Sequence, residues 1–217
     1  MNWVEINARA LHTNAQFLAR QADCPLIAVV KSNAYGHGAE LIASELSKRN
    51  DVAFLGVANA KEAIQLRDFG ITKPILVLSY YDLHDLKELA GTQTHIVVYS
   101  EKQLRAIKKI RHRFSVHLKV DTGTSRVGVL PQDVETFLKK FPRNAQLAGV
   151  FSHFSSSEED DRITKKQIAL FSQTITTITQ RQAIPWIHLS CSASVMKRFH
   201  VPQTVVRVGI GLYGLNP

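Results

Sequence analysis

The chain has 217 residues, of which 45% are hydrophobic and 21% charged, and it carries a net charge of +9. This composition excludes intrinsically disordered and fibrous proteins, and the length favours one domain with a core of its own. No apolar run approaches the roughly 20 residues of a membrane span, and the first residues show no export signal, so we expect no membrane partner.

Short apolar runs rich in β-branched residues alternate with longer amphipathic runs along the chain, which predicts alternating strands and helices. The predicted strands cover residues 26–30, 54–57, 74–78, 95–99, 115–120, 147–151, 186–189 and 205–208. The predicted helices cover residues 8–21, 39–48, 60–69, 83–89, 101–111, 131–141, 162–181 and 193–199.

The predicted strands are almost continuously apolar, which is typical of parallel strands that helices cover on both faces. Eight such units predict an α/β protein with a (β/α)8 TIM-type barrel, built by residues 1–217 as a single domain. A doubly wound open sheet is the alternative, but no glycine-rich fingerprint follows the first strand. No eighth helix follows the last strand, so we expect strands one and eight to expose apolar surface.

Basic side chains concentrate in one segment, at Lys102, Arg105, Lys108, Lys109, Arg111 and Arg113. On a helix they would point in several directions, and no aromatic residues are interleaved for stacking on bases. We therefore predict a solvated outer helix and no nucleic-acid partner, although the positive charge would attract phosphates and carboxylates. Cys24 and Cys191 are too few for a disulfide framework, which indicates a reducing, cytoplasmic environment.

Polar residues at the ends of barrel strands are the candidates for function, because active sites of such barrels lie where strands lead into loops. Lys31 follows the apolar run of the first predicted strand and opens a loop that contains glycines. A lysine there loses hydration, which lowers its pKa and suits its amine to act as a base or to form a Schiff base. Taken alone, such a lysine would rather be a surface residue of the barrel rim.

The ten residues Val29-Val30-Lys31-Ser32-Asn33-Ala34-Tyr35-Gly36-His37-Gly38 resemble the pyridoxal-phosphate signature of the alanine racemases. Further segments similar to that family are Trp3-Val4-Glu5-Ile6-Asn7, Leu118-Lys119-Val120-Asp121-Thr122-Gly123, Arg126-Val127-Gly128, Ser152-His153-Phe154 and Val206-Arg207-Val208-Gly209-Ile210-Gly211-Leu212-Tyr213-Gly214. The resemblance implies pyridoxal 5'-phosphate as cofactor, alanine as the small amino-acid substrate, and an isomerase that interconverts its L- and D-forms for peptidoglycan. A homodimer is one assembly that it allows.

The resemblance also implies roles for individual residues. Lys31 carries the cofactor and is the base on the D-face of the substrate α-carbon. Arg126 binds the substrate carboxylate, which suits the planar donor fork of arginine. Arg207 faces the pyridine nitrogen of the cofactor and, as a donor only, leaves that nitrogen unprotonated. The other cofactor-binding residues are Tyr35, His153, Ser192, Gly209 and Ile210.

Three of these positions also have plainer interpretations. In the family, the lysine matched by Lys119 often carries a carbamate. This modification would turn a cation into an anion that can hold Arg126 in place. In the plainer interpretation, Lys119 is unmodified and its side chain extends to the surface. Tyr35 alone would be a packed loop aromatic, and His153 alone a hydrogen-bonded core residue. The acidic run 158–161 fits the start of the next helix better than a metal, so we predict no metal site.

Two features depart from the family pattern. Cys191 stands where the family commonly has an asparagine, and a thiol is a poor substitute for an amide in hydrogen bonding. The family's C-terminal β domain, which supplies a tyrosine base on the L-face, has no counterpart in residues 1–217. We therefore expect a barrel fragment that binds cofactor weakly and racemises poorly. The alternatives are a stand-alone single-barrel pyridoxal-phosphate-binding homeostasis protein without racemase activity, and a cofactor-free remnant or basic interaction module.

Overall fold

Eight parallel strands curl into a barrel in the computed structural model, which describes residues 5–216. The strands are β1 (Leu26–Val29), β2 (Val52–Asn59), β3 (Ile75–Tyr80), β4 (Thr94–Val98), β5 (Phe114–Lys119), β6 (Ala145–Phe151), β7 (Trp186–His188) and β8 (Val206–Val208). Neighbours follow the order β7-β6-β5-β4-β3-β2-β1-β8. The ring closes between β7 and β8, where the amide of Thr204, just before β8, donates to the carbonyl of Ile187 in β7 at 2.9 Å, and the amide of Arg207 donates to the carbonyl of Ser190, just after β7, at 3.1 Å. The predicted α/β barrel is confirmed; Trp3 and Val4 lie outside the described residues.

The helices alternate with the strands as predicted. They are α1 (Ala8–Ala22), α2 (Lys31–Tyr35), α3 (Ala39–Ser47), α4 (Ala60–Asp68), α5 (Leu83–Leu89), α6 (Glu101–Lys108), α7 (Val134–Leu138), α8 (Asp161–Thr179) and α9 (Ser192–Met196). The short α2 was not predicted, and its backbone after Lys31 is left-handed. The Asp160 side chain accepts the amides of Arg162 and Ile163, so the predicted role of the acidic run at a helix start is confirmed. Across residues 5–216, no helix combines the length and the apolarity that crossing a bilayer requires.

Three helices are shorter than predicted: α6, α7 and α9, the last of which ends at Met196 and not at Phe199. The helix predicted over residues 101–111 ends at Lys108, because the Asn144 side chain takes up the carbonyls of Ile107 and Ile110, both at 2.8 Å. The helix predicted over residues 131–141 is a 3₁₀ turn followed by the short α7. Pro142 disfavours helical backbone at the residue before it, which limits how far this segment can continue as a helix.

Helix α1 covers the seam between β8 and β1, so the expectation of exposed apolar surface on these strands was wrong. Leu26 of β1 and Val206 of β8 are fully buried, as is Leu18 of α1. The side chain of Asn14 donates to the carbonyl of Leu212 at 3.0 Å and ties α1 to the 3₁₀ turn after β8. The helix that precedes the first strand therefore takes the place of an eighth covering helix.

The barrel interior holds an apolar cluster and a row of polar side chains. Ile27, Phe54, Leu76 and Val205 pack together inside, and Trp186 meets the edge of the Phe54 ring with centroids 4.9 Å apart. Inward positions on β4, β5, β7 and β8 carry His95, His117, His188 and Arg207. The apolar cluster fills one part of the interior, and the polar row occupies the rest.

We expect Leu18→Ala to lower the free energy of unfolding by about 2–5 kcal/mol, because it opens a cavity beneath α1 at the β8–β1 seam. Chemical denaturation measures the change. Gln16→Ala, at an exposed position on the same helix, is the matched control and should change stability by less than about 0.5 kcal/mol. Equal effects of the two substitutions would contradict the assigned role of α1.

Candidate active site

Lys31 opens a left-handed turn directly after β1. The four residues that follow it, Ser32, Asn33, Ala34 and Tyr35, have φ between 53° and 55°, in a region that L-residues other than glycine rarely adopt. Each such residue costs roughly 1–2 kcal/mol relative to right-handed backbone. Strain of this kind persists only where the surrounding structure holds it in place, and it concentrates at functional sites.

Hydrogen bonds from outside the turn hold it in place. The carboxylate of Glu62, on α4, accepts the amide of Ser32 at 2.8 Å and the amide of Ala58 at 2.7 Å. The side chain of Asn33 accepts the amide of Ala39 at 2.8 Å, at the start of α3. These contacts fix the turn to β2 and α3, so Lys31 leaves the strand in one direction.

Lys31 lines a cavity of about 170 Å³ at the carboxyl ends of the strands. The residues that line it are Val29, Lys31, Tyr35, Leu78, His153, Glu158, Cys191, Ser192, Ala193, Arg207, Gly209 and Ile210. The lysine side chain is half-buried, less than its place after an apolar strand suggested. Seven of the predicted site residues therefore lie around one cavity: Arg207 on β8, and six on the segments that follow β1, β6, β7 and β8.

Tyr35 and Ser192 both lie against Gly209, at the β8 end of the cavity. The Tyr35 hydroxyl lies so close to Gly209 that any side chain at this glycine would collide with it. The hydroxyl of Ser192 accepts the amides of Gly209 and Gly211, each at 3.2 Å. Burial raises the pKa of Tyr35, which keeps its phenol protonated as a donor. Hydroxyls and backbone amides gathered in this way are suited to an anion such as phosphate.

Arg207 is held in place through both of its terminal nitrogens. Its two terminal nitrogens donate to the carbonyls of His188, Leu189 and Ser152, at 3.1, 3.1 and 2.6 Å. Its guanidinium also lies 5.0 Å from the centre of the Phe151 ring. Burial lowers its pKa to about 10, so it remains a cation at neutral pH. A fixed cation in the cavity wall can only donate hydrogen bonds to a ligand.

Positive charge dominates this end of the barrel. Burial, with the nearby charges of Arg207, Arg126, Lys119 and Lys31, lowers the pKa of His153 to about 3. His153 is therefore a neutral imidazole at physiological pH, surrounded by cations. Such a site favours anionic ligands, phosphates and carboxylates among them.

Lys119 is the buried lysine of this group, with 5% of its surface exposed at the end of β5. Burial and the charges of Arg126 and Arg207 lower its pKa to about 8. The plainer interpretation, in which Lys119 extends to the surface, is wrong. Arg126 itself is exposed and lies outside the residues that line the cavity.

The loop that carries Arg126 is organised by Asp121. One carboxylate oxygen accepts the amides of Gly123, Thr124 and Ser125, at 2.9, 2.9 and 3.1 Å, and the other accepts the amide of Arg126 at 3.2 Å. These bonds lower the pKa of the carboxyl group, which therefore stays ionised at neutral pH. The loop closes where the amide of Asp121 donates to the carbonyl of Val129.

Gln167 joins this loop to the next one around the barrel. Its amide nitrogen donates to the carbonyl of His153 at 3.1 Å and approaches the hydroxyl of Thr122 at 3.4 Å, and its oxygen accepts the amide of Ser155 at 2.9 Å. This buried side chain on α8 therefore links the loops after β5 and β6. His153 and Arg126 are held relative to each other through it.

Sequence reasoning missed several residues that build the site. His188 and Phe151 stack face to face behind Arg207, with centroids 4.7 Å apart, and Glu62 holds the lysine turn. A histidine inside an apolar strand was the available signal for His188; nothing in the sequence marked Glu62.

Cys191 lines the cavity, and its sulfur lies 3.3 Å from the hydroxyl of Ser157. Within residues 5–216, no three histidine, cysteine or acidic side chains converge as metal ligands.

Comparison with known proteins places the chain in a family. The family model described as "Alanine racemase, N-terminal domain" matches residues 6–217. The chain is 34% identical to the alanine racemase of Methanococcus maripaludis over 99% of its own length, and 36% identical to that of Haemophilus influenzae over 98%. It superimposes on the Bacillus anthracis alanine racemase with bound L-Ala-P with a TM-score of 0.90, at 28% identity.

The chain belongs to the alanine racemase family. This family depends on pyridoxal 5'-phosphate. The chain spans about 60% of the length of the curated relatives it matches, and 58% of the superimposed structure. The match therefore covers the barrel of the family and leaves the rest of those proteins without a counterpart in residues 1–217.

We expect Ser32→Gly to leave the protein at least as stable as the parent, because glycine adopts left-handed backbone without a steric penalty. Ser32→Val should lower the free energy of unfolding by about 1–2 kcal/mol, since the branched side chain adds strain there. Denaturant titration gives both values. As a matched control, Ser44→Gly in the right-handed helix α3 should be destabilising; a destabilising effect of the same sign at both serines would contradict the assigned strain.

Proposed function

We propose that the chain is the cofactor-binding barrel of an alanine racemase, a pyridoxal-phosphate-dependent isomerase that interconverts L- and D-alanine. The observation that carries this proposal is the meeting of Lys31, Ser192, Gly209 and Arg207 around one cavity. A primary amine, a cluster of anion donors and a fixed cation are the groups that an aldehyde cofactor with a phosphate and a ring nitrogen would use. Residues 1–217 would act as one domain in this role.

The chemistry of the cavity fits pyridoxal 5'-phosphate. Ser192 and the amides around Gly209 and Ile210 would hold its phosphate, with the Tyr35 hydroxyl beside them. Arg207 would face the ring nitrogen, His153 would lie against the ring, and the amine of Lys31 would attach the aldehyde carbon. When bound, the cofactor supplies an electron sink for the substrate α-carbon.

Side chains of the barrel would transfer the proton, bind the substrate carboxylate and set the protonation state of the ring nitrogen. The Nζ atom of Lys31, once it is no longer bonded to the cofactor, is the base that takes or returns the α-proton on the D-face of the amino acid. Arg126, on the loop held by Asp121, binds the substrate carboxylate at the rim of the cavity. Because Arg207 is a donor only, it leaves the ring nitrogen unprotonated, which weakens the electron sink and favours prompt return of the proton over side reactions.

Racemisation needs a second proton donor and acceptor on the opposite face of the substrate. In the family this group is a tyrosine of the β domain that follows the barrel. We therefore propose that residues 1–217 alone bind the cofactor weakly and racemise slowly, and that a homodimer is one arrangement of the complete site. A cytoplasmic location and a role in supplying D-alanine for peptidoglycan belong to the same proposal.

Lys119 is the proposed site of a carbamate. A pKa of about 8 leaves part of its amine neutral at physiological pH. A neutral amine adds to carbon dioxide: an N–C bond forms, one proton leaves to solvent, and an anion results. That anion would attract Arg126 and Arg207, the two cations whose charges act on Lys119.

The alternative functions have less support. The homeostasis proteins that carry pyridoxal phosphate on a single barrel would also use a strand-end lysine. The relatives described above are alanine racemases, and the Arg126 loop supplies a carboxylate-binding group that a carrier does not need. A basic interaction module would not explain the strained left-handed turn after Lys31.

Borohydride reduction followed by peptide mass spectrometry tests the proposal. Incubated with pyridoxal 5'-phosphate and reduced, the chain should carry one stable adduct on the peptide that contains Lys31. Lys31→Ala should abolish the adduct, whereas Lys61→Ala, at an exposed position on α4, should leave it in place. A wild-type chain without any adduct would support the cofactor-free remnant, and alanine racemisation at full enzyme rates would overturn the expectation of a missing second base.

Carbon-13 NMR with labelled bicarbonate tests the carbamate on Lys119. At fixed bicarbonate, we expect the signal to rise about tenfold per pH unit below pH 8 and to level off above it, because carbamate formation from the charged amine releases a proton. Lys119→Arg should remove the signal, and Lys139→Arg, on the surface, should not. A signal that persists in the Lys119 variant would contradict this assignment.

A further inference from the structure

A row of hydrogen-bonded imidazoles runs behind Arg207 through the inside of the barrel. Arg207 contacts Nδ1 of His188; Nε2 of His188 lies 2.8 Å from Nδ1 of His117; and Nε2 of His117 lies 3.0 Å from Nδ1 of His95. His117 and His188 have no exposed surface, and His95 is partly buried. The proposed reaction at Lys31 gives these three histidines no role, although each is a titratable group in an apolar interior.

The row has a direction, and Arg207 sets it. A guanidinium can only donate, so Nδ1 of His188 must accept and the proton of this ring must be on Nε2. That proton then points at Nδ1 of His117, which must accept in turn, and the same reasoning places the proton of His117 on Nε2. His95 accepts it at Nδ1 and carries its own proton on Nε2. One cation thus fixes three tautomers.

The same arrangement resists protonation. A proton added to any ring would occupy a nitrogen that already accepts a hydrogen bond, and passing it along the row would bring it against the N–H of Arg207. Burial and the charge of Arg207 lower the pKa of His117 and of His188 well below the usual value, and burial lowers that of His95 to about 4. Three neutral rings are therefore the stable state of the row at neutral pH.

The sequence makes room for this row at a specific place. Gly149, on β6, lies so close to the His117 ring that a side chain at this position would overlap it. Phe54 closes the other side, with its ring edge-on to both His95 and His117 at 4.8 and 5.9 Å between centroids. The rings therefore have one arrangement open to them, and Arg207 is supported along the whole row.

We propose that His117 and His95, acting through His188, are positioning residues that fix the guanidinium of Arg207 in the wall of the cofactor cavity. This role rests on the proposed function, since Arg207 is the group that would face the ring nitrogen. The row is a rigid support with a defined polarity: the N–H groups of His188 and His117 point away from Arg207, toward His95 near the amino end of β4. Loss of one ring would leave Arg207 or its neighbour with an unmatched buried nitrogen.

Nitrogen-15 NMR of histidine-labelled protein tests the direction of the row without any cofactor. At pH 7 we expect His95, His117 and His188 each to appear as a neutral ring protonated on Nε2. Arg207→Leu should release the constraint and allow the other tautomer at His188. A charged imidazole, or a ring protonated on Nδ1, at any of the three positions in the parent protein would overturn the proposal.

A second measurement tests positioning at the cavity. His117→Phe keeps an aromatic ring but removes both hydrogen bonds, and we expect about tenfold weaker binding of pyridoxal 5'-phosphate with a shifted absorption maximum. His95→Phe and His95→Gln form a matched pair, because only glutamine retains an acceptor for the N–H of His117; glutamine should preserve the parent absorption and phenylalanine should not. His84→Gln, on the exposed face of α5, is the control.

The two measurements separate the two proposals. A chain that binds no pyridoxal 5'-phosphate would contradict the proposed function, while the tautomers of the ligand-free protein would still support or overturn the direction of the row. Parent-like affinity and absorption in both His117→Phe and His95→Phe would overturn the positioning role even in a chain that binds the cofactor normally.

Discussion

The left-handed turn after β1 is the constraint on which the site depends. Four consecutive residues other than glycine adopt a left-handed backbone conformation that L-amino acids avoid. Hydrogen bonds to the carboxylate of Glu62 and to the side-chain oxygen of Asn33 hold them there. The turn reverses the chain immediately after Lys31 and brings the Tyr35 hydroxyl back to Gly209 on the loop after β8. Without that reversal, no contact would tie the loop of Lys31 to the hydrogen-bond donors after β7 and β8 that are suited to phosphate.

Electrostatics then determines what such a cavity can hold. Lys31, Lys119, Arg126 and Arg207 all act on His153, while the carboxylate of Asp121 is used up by the backbone amides of its own loop. The protein therefore maintains a concentration of positive charge and keeps the buried imidazoles of His153, His188 and His117 neutral. The cost of burying Arg207 is offset by three backbone carbonyls and the Phe151 ring. An anionic ligand would complete the balance of charge.

The sequence alone predicted the barrel, because strands buried on both faces are nearly continuous apolar runs and eight of them are easy to count. Its resemblance to the alanine racemases also predicted Lys31, Arg207 and Ser192 as site residues at or just after strand ends. It could not predict the left-handed backbone of Ser32 to Tyr35, since none of these residues is a glycine. Nor could it pair His117 with Gly149, or Asn14 with Leu212, because those contacts depend on three-dimensional neighbours.

The contact between α1 and the turn after β8 joins residues 198 positions apart in the chain. During synthesis on the ribosome, α1 emerges early and can pack only on β1 and α3 until α9 and β8 have been made. Part of its apolar face, which carries Leu11, Ala15 and Leu18, therefore stays exposed until nearly the whole barrel has been made. Contacts between residues so far apart in the chain slow folding, and the apolar surface exposed in the meantime makes the nascent chain prone to aggregation.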